Sequence, residues 1–129
     1  MDSHAGTPVA VQLPAAGTAE LGPAVLKPTS RTGQRERTLE LWTDSSGAAE
    51  AGVWECEPGE FTARRNGYTE VCHILSGSAT VVDANGHRTD LRPGDLLVQP
   101  DGWEGTWTVH ETMRKTYAII PAGGTPQSG

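Results

Sequence analysis

From Thr38 onward the chain becomes strand-like, with apolar and polar positions in short runs broken by turn residues. The pattern predicts strands over 38–43 and 52–57, joined by a turn at Asp44-Ser45-Ser46-Gly47, with Pro58-Gly59 ending the second. Further strands are expected over 70–75, 79–83, 88–91, 96–99, 105–109 and 113–120. Ser76-Gly77 separates the third from the fourth. Ala84-Asn85-Gly86 predicts a hairpin, because Asn-Gly accepts the positive φ angles of a tight connection. No sustained helical period is present. Short strands at this spacing, with turn chemistry between them, predict an all-β jelly roll or related barrel of two antiparallel sheets.

Before that core, residues 1–36 carry Pro8, Pro14, Pro23 and Pro28 among Ala, Gly and Thr, a linker-like composition. Within it Val9, Val11 and Leu13 alternate, a pattern suited to an edge strand on the chain's own sheet or on a partner's. The expected organisation is a flexible or strand-swapping arm over 1–36, one domain over 37–121, and a fraying tail of Gly, Thr, Pro and Ser over 122–129.

Composition narrows the class. With 129 residues, of which 16 are Gly and 9 Pro, the chain fits one domain of many short strands and tight turns. A formal net charge of −6 lacks the basic footprint of a nucleic-acid binder. The first residues show no basic segment followed by an apolar core, and no apolar run approaches membrane-spanning length. A soluble cytoplasmic protein is expected, with Cys56 and Cys72 reduced. Exposed jelly-roll edges and the alternating arm predict a homodimer.

The punctuation of the core is more specific. Glu70 is followed seven positions later by Gly77; then come Arg92-Pro93-Gly94-Asp95 and Gln99-Pro100-Asp101-Gly102-Trp103. With Gly52-Val53-Trp54-Glu55, Trp107 and Arg114-Lys115-Thr116-Tyr117, this order resembles the cupin superfamily from about Leu39 to Ile120. Within it, the chain is similar to the small single-domain group named after the (S)-ureidoglycine aminohydrolase cupin domain, which includes relatives of the ethanolamine-utilisation cupins. The resemblance implies a jelly-roll barrel with a small-molecule site inside.

It also implies a metal centre whose histidines are missing here. Metal-dependent cupins place His-x-His shortly before the first-motif Glu and another His after the Pro-x-Gly turn. In this chain those positions fall on Arg64 and Asn66, or with the alternative spacing on Ala63 and Arg65, and on Gly105. Of four expected ligands only Glu70 survives, and arginine repels an ion. His73, His87 and His110 are read as surface or packed residues, so no metal and no other cofactor are expected.

Glu70 is the first candidate for chemistry, as a carboxyl that the resemblance points into the barrel. Burial there would raise its pKa toward acid/base work, or it forms a structural ion pair with Lys115 or Arg64. Lys115 and Tyr117 alternate on the last strand and share a face, Lys115 as base or electrophile and Tyr117 as proton donor. Lys115 would otherwise neutralise Glu55 or Glu70. Arg64 and Asn66, if turned inward, convert a metal pocket into an anion site; otherwise they belong to an exposed turn. Trp54 beside Glu55, and Trp107, are candidates to line the pocket and stack on a ligand, or pack the core. Cys72 shares the face of Glu70 and is read as core.

The function expected from these residues is binding of a polar or anionic metabolite, with metal-independent acid/base catalysis of isomerase, cyclase, lyase or hydrolase type. The setting would be a tailoring step in specialised metabolism. A non-catalytic ligand-binding subunit is the alternative, and a metal-dependent enzyme with atypical ligands the third.

Overall fold

In a computed structural model, which describes residues 6–123, the chain is all β. Its strands are β1 (Val25–Leu26), β2 (Arg35–Thr43), β3 (Glu50–Cys56), β4 (Gly59–Arg64), β5 (Tyr68–Asp83), β6 (Arg88–Leu91), β7 (Leu96–Gln99) and β8 (Glu104–Pro121). Among the described residues no helix is long and apolar enough to cross a membrane.

All pairings are antiparallel, in the order β1-β2-β3-β8-β5-β6, with β4 added to β8 and β7 to β5. The long strands β5 and β8 run through both leaves of the jelly roll. In the first leaf their halves 68–74 and 115–121 lie with β2, β3 and β7; in the second, 79–83 and 105–109 lie with β4 and β6. Pairing register breaks between Ile74 and Ala79, and there the sheet passes from one leaf to the other. Gly77 sits in that break at φ 83°, where a Cβ would lie 2.1 Å from the carbonyl oxygen of Thr112. Only glycine fits so tight a crossing.

Two pairs of strands expected from the sequence are thus single bent strands, 70–75 with 79–83 and 105–109 with 113–120. The hairpin at Ala84-Asn85-Gly86 is present, closed by hydrogen bonds from Asp83 N to His87 O and from Gly86 N to Asp83 O, both 2.8 Å. Pro58-Gly59 does not end the β structure. The chain reverses there and continues directly as β4, a strand that the turn signal concealed.

Alternation fixes the core. Trp54 and Cys56 on β3, Phe61 on β4, Cys72, Ile74, Ala79 and Val81 on β5, and Trp107, Val109, Met113 and Tyr117 on β8 point inward and are buried. Phe61 and Trp107 from the second leaf meet Trp54 from the first, at ring-centroid distances of 5.9 and 6.2 Å, so aromatic edges join the leaves.

The segment ahead of β2 lies against the barrel. Val25–Leu26 pairs with β2, and Arg114 donates from Nη1 to the carbonyls of Ala16 and Ala19, at 2.9 and 2.8 Å, while its Nε binds Glu55 at 3.0 Å. Val9 and Val11 are exposed and belong to no strand of this chain. The outermost residues of the arm and of the tail, 1–5 and 124–129, lie outside the described residues.

Candidate functional site

Inward-facing positions at one end of the barrel enclose a cavity of about 210 Å³, lined by Lys27, Glu36, Glu50, Trp54, Phe61, Arg65, Glu70, Lys115, Tyr117 and Ile119, with Thr38 beside them. That is smaller than the roughly 300–1,000 Å³ of sites for drug-sized ligands, and suits a small metabolite.

Glu70 is 7% exposed and has a cation on each carboxylate oxygen. Lys115 Nζ donates to Oε2 at 2.8 Å, and Arg65 Nε stands 3.3 Å from Oε1. The Lys115 ammonium, on a residue 4% exposed, lies 4.5 Å from the Trp54 ring and 4.6 Å from the Trp107 ring. Two indole faces and a carboxylate thereby replace the hydration shell of a buried charge. Burial alone would push the Glu70 carboxyl up, but Lys115, Arg65 and the hydrogen bonds from Lys115 and Cys72 outweigh it and hold the pKa down to about 2. The rise expected from the sequence is therefore reversed: the cations were not visible as a pair bracketing one carboxylate.

Tyr117 donates its hydroxyl to Glu50. Burial, and then that carboxylate, push the phenol well above its ordinary range, so it stays protonated. Cys72 donates its thiol to Glu70 Oε2 at 3.1 Å and, chiefly through burial, is pushed up to about 11. It is an inert thiol beneath the site. Cys56 is likewise buried and free, raised to about 11 by desolvation.

Several candidates stand elsewhere. Arg64 is exposed on the outer side of β4, 3.6 Å from Glu104, and borders a separate outer groove of about 520 Å³. Asn66 is exposed in the connection to β5. The inward arginine is Arg65, because Phe61 faces the core and Ala63 and Arg65 follow at the same parity. Glu55 points to the outer face and pairs with Arg114 at 2.9 Å. Trp107 is fully buried, its Nε1 donating to Gln99 Oε1 at 3.0 Å, so it supports Lys115 from below and has no surface left to stack on a ligand. Trp54 does line the cavity, with Nε1 donating to Glu36 Oε1 at 2.8 Å.

Sequence reasoning missed Lys27, Glu36, Glu50, Phe61 and Ile119. Lys27 Nζ binds Glu36 Oε1 at 3.2 Å and covers the Phe61 ring at 4.6 Å, so the segment read as an arm supplies a wall of the pocket.

A cupin-type metal ion does not fit this donor set. By β4 register and parity the ligand positions are Ala63, Arg65, Glu70 and Gly105, and only one of these carries an anionic donor. Among the described residues no three His, Cys, Asp or Glu side chains converge. Arg65 and Lys115 instead engage both oxygens of that donor, Glu70. His110 is engaged with Thr80 at 2.8 Å, and His73 and His87 are exposed.

Residues 43–117 match the EutQ-like cupin domain family. No curated protein sequence matches the chain. Among solved structures, it superposes on the EutQ protein of Clostridium difficile with TM-score 0.64 and 21% identity, over 75% of this chain and 76% of that one. A protein of unknown function from Pseudomonas syringae pv. tomato gives TM-score 0.71 and 23% identity, over 81% of this chain but 46% of that longer one. Ectoine synthase from P. lautus is similar in fold, with TM-score 0.63 and 13% identity, over 76% of this chain and 69% of that one. At these identities the likeness is one of fold.

Proposed function

This chain belongs to the EutQ-like cupin family, and from that footing we propose that it binds a small polar or anionic metabolite in the barrel and acts on it by metal-independent acid/base chemistry. The observation that carries the proposal is the Lys115–Glu70–Arg65 cluster, which leaves one net positive charge on one side of an accessible cavity. That local surplus on the Arg65 side favours an anionic group of the ligand there and stabilises negative charge that develops on it.

Within that reading the roles divide by protonation state. Glu70, held ionised, is a weak base and serves to orient the Lys115 ammonium. The protons available to a ligand are those of Lys115 and of the Tyr117 phenol. Arg65 has a planar fork for a carboxylate or phosphate. The aminohydrolase activity that names the neighbouring cupin group is no part of this proposal, since its metal donors are lacking at Ala63, Arg65 and Gly105.

The test is a screen of small carboxylates, phosphates and amino acids by proton NMR. A shift of the Trp54 indole N–H reports binding, and change in the ligand's own signals over hours reports turnover. Binding that weakens at least about tenfold in Arg65→Gln, with slow turnover of a bound compound, is the expected result. Binding without turnover would leave a sensing or sheltering subunit, and an unmoved Trp54 would contradict the ligand site itself.

We also propose that the outer face of the first leaf pairs with a second copy. Two cross-strand rows there, Trp42-Ala51-Ala118-Val71-Val98 and Leu39-Val53-Thr116-His73-Leu96, contain no Asp, Glu, Lys or Arg. Val53 is already covered within the chain, and the rows end on exposed Trp42, Val98 and Leu96, which are the surface open to a second copy. Light scattering is expected to show a dimer, and Val98→Lys with Leu96→Lys a folded monomer; a monomeric parent chain would refute the pairing.

A further inference from the structure

The cavity contains three cations and three carboxylates, yet they do not cancel locally. Lys27 is matched with Glu36, and Lys115 with Glu70. Arg65 and Glu50 remain. Arg65 is nearly buried, and its one ionic contact is the approach of Nε to Glu70 at 3.3 Å, too poorly aligned for a hydrogen bond. Among the described residues its terminal nitrogens meet no acceptor at hydrogen-bond distance. Among the described residues Glu50 has no cation at salt-bridge distance; its side-chain partner is the neutral hydroxyl of Tyr117.

These two unmatched charges stand on opposite sides of the pocket. Register places Glu50 and Glu70 on either side of Ile119, on β3 and β5, with β8 between them. Their backbones are therefore about 10 Å apart, two strand spacings. Arg65 stands on the Glu70 side, and Ile119 forms an apolar floor between the poles. The aromatic faces offer a ligand cation no alternative, because Lys115 covers Trp54 and Trp107 and Lys27 covers Phe61.

We propose that the ligand is dipolar: a carboxylate or comparable anion held by Arg65, joined through a short apolar spacer to an amine held by Glu50. This rests on the ligand-site reading above and specifies its substrate class. An ω-amino acid satisfies both poles at once, and either half alone leaves one pocket charge unmatched.

Titrations of β-alanine, γ-aminobutyrate and δ-aminovalerate, against butyrate and butylamine, followed by the Trp54 indole shift, test this directly. At least one amino acid is expected to bind roughly tenfold more tightly than either single-ended compound. Glu50→Gln, which retains an acceptor for Tyr117, is expected to remove the advantage over butyrate while butyrate still binds. Arg65→Gln is expected to remove the advantage over butylamine. Butyrate binding as well as every amino acid would overturn the dipolar assignment and leave the anion site standing. A preference unchanged by Glu50→Gln would overturn it too. Failure of all five compounds to move Trp54 would overturn the ligand site and this inference together.

Discussion

Replacing Lys115 by methionine is expected to destabilise the protein by about 3–5 kcal/mol, the loss typical of removing one member of a buried ion pair. The methionine fills most of the volume between Trp54 and Trp107 but cannot donate to Glu70 Oε2, where Lys115 stands at 2.8 Å. Glu70 would then remain buried against an aromatic wall with only the weak thiol donor of Cys72 at 3.1 Å and the off-axis approach of Arg65 at 3.3 Å. Two cation–π contacts disappear as well. The partner variant separates these causes. Lys115→Met combined with Glu70→Gln removes both charges of the pair, and most of the lost stability is expected to return. Urea unfolding of the parent chain, the single variant and the double variant measures the cycle. A single variant within about 1 kcal/mol of the parent would show that the pair contributes little.

Acid is expected to act on the same contact. Glu70 has its folded pKa depressed to about 2 from an ordinary 4.5. The unfolded chain therefore takes up the proton first as pH falls. Its contribution to stability is complete above the unfolded value, declines through the window from about 4.5 to about 2, and is absent below it. The linkage amounts to something on the order of 3 kcal/mol. Glu57, Asp44 and the exposed Asp90 are depressed in the same direction, and add to acid sensitivity without belonging to the site. Glu70→Gln isolates the buried contribution: its stability between neutral pH and pH near 3 is expected to fall less steeply than the parent's. Equal slopes would mean that Glu70 does not titrate in this window.

The sequence made the barrel readable because its turns are chemically explicit. Asn85-Gly86 specified the β5–β6 hairpin, and strands β6 and β7 have the bounds that alternation predicts, Arg88–Leu91 and Leu96–Gln99. The same explicitness misled at Pro58-Gly59. Gly59 adopts φ 143° with a Cβ position only 2.3 Å from Thr32 Oγ1, so a residue that reads as a stop makes a close-packed reversal into β4. With β4 unseen, the parity of Arg64 and Arg65 could not be anchored to Phe61, so the two spacings, Arg64 with Asn66 or Ala63 with Arg65, stayed open. Glu70, Lys115, Tyr117 and Trp54 were legible as residues facing the barrel interior because their strands were, and all four line the cavity. Lys27 and Glu36 were not, since a proline-rich segment with little periodicity gives no sign that it forms a wall of a pocket. Nor did the chain reveal that two cations share Glu70, which sets the sign of its pKa shift.

Two internal cations, Arg65 and Lys115, take up both oxygens of Glu70 and leave it no face for a metal ion. The most direct test is elemental analysis of the full chain purified without chelator or affinity tag, beside a Glu70→Gln variant. With Arg65 and Lys115 on both oxygens of Glu70, only trace metal is expected in either protein. Near-stoichiometric metal in the parent chain, lost in the variant, would contradict the account and make Glu70 a ligand.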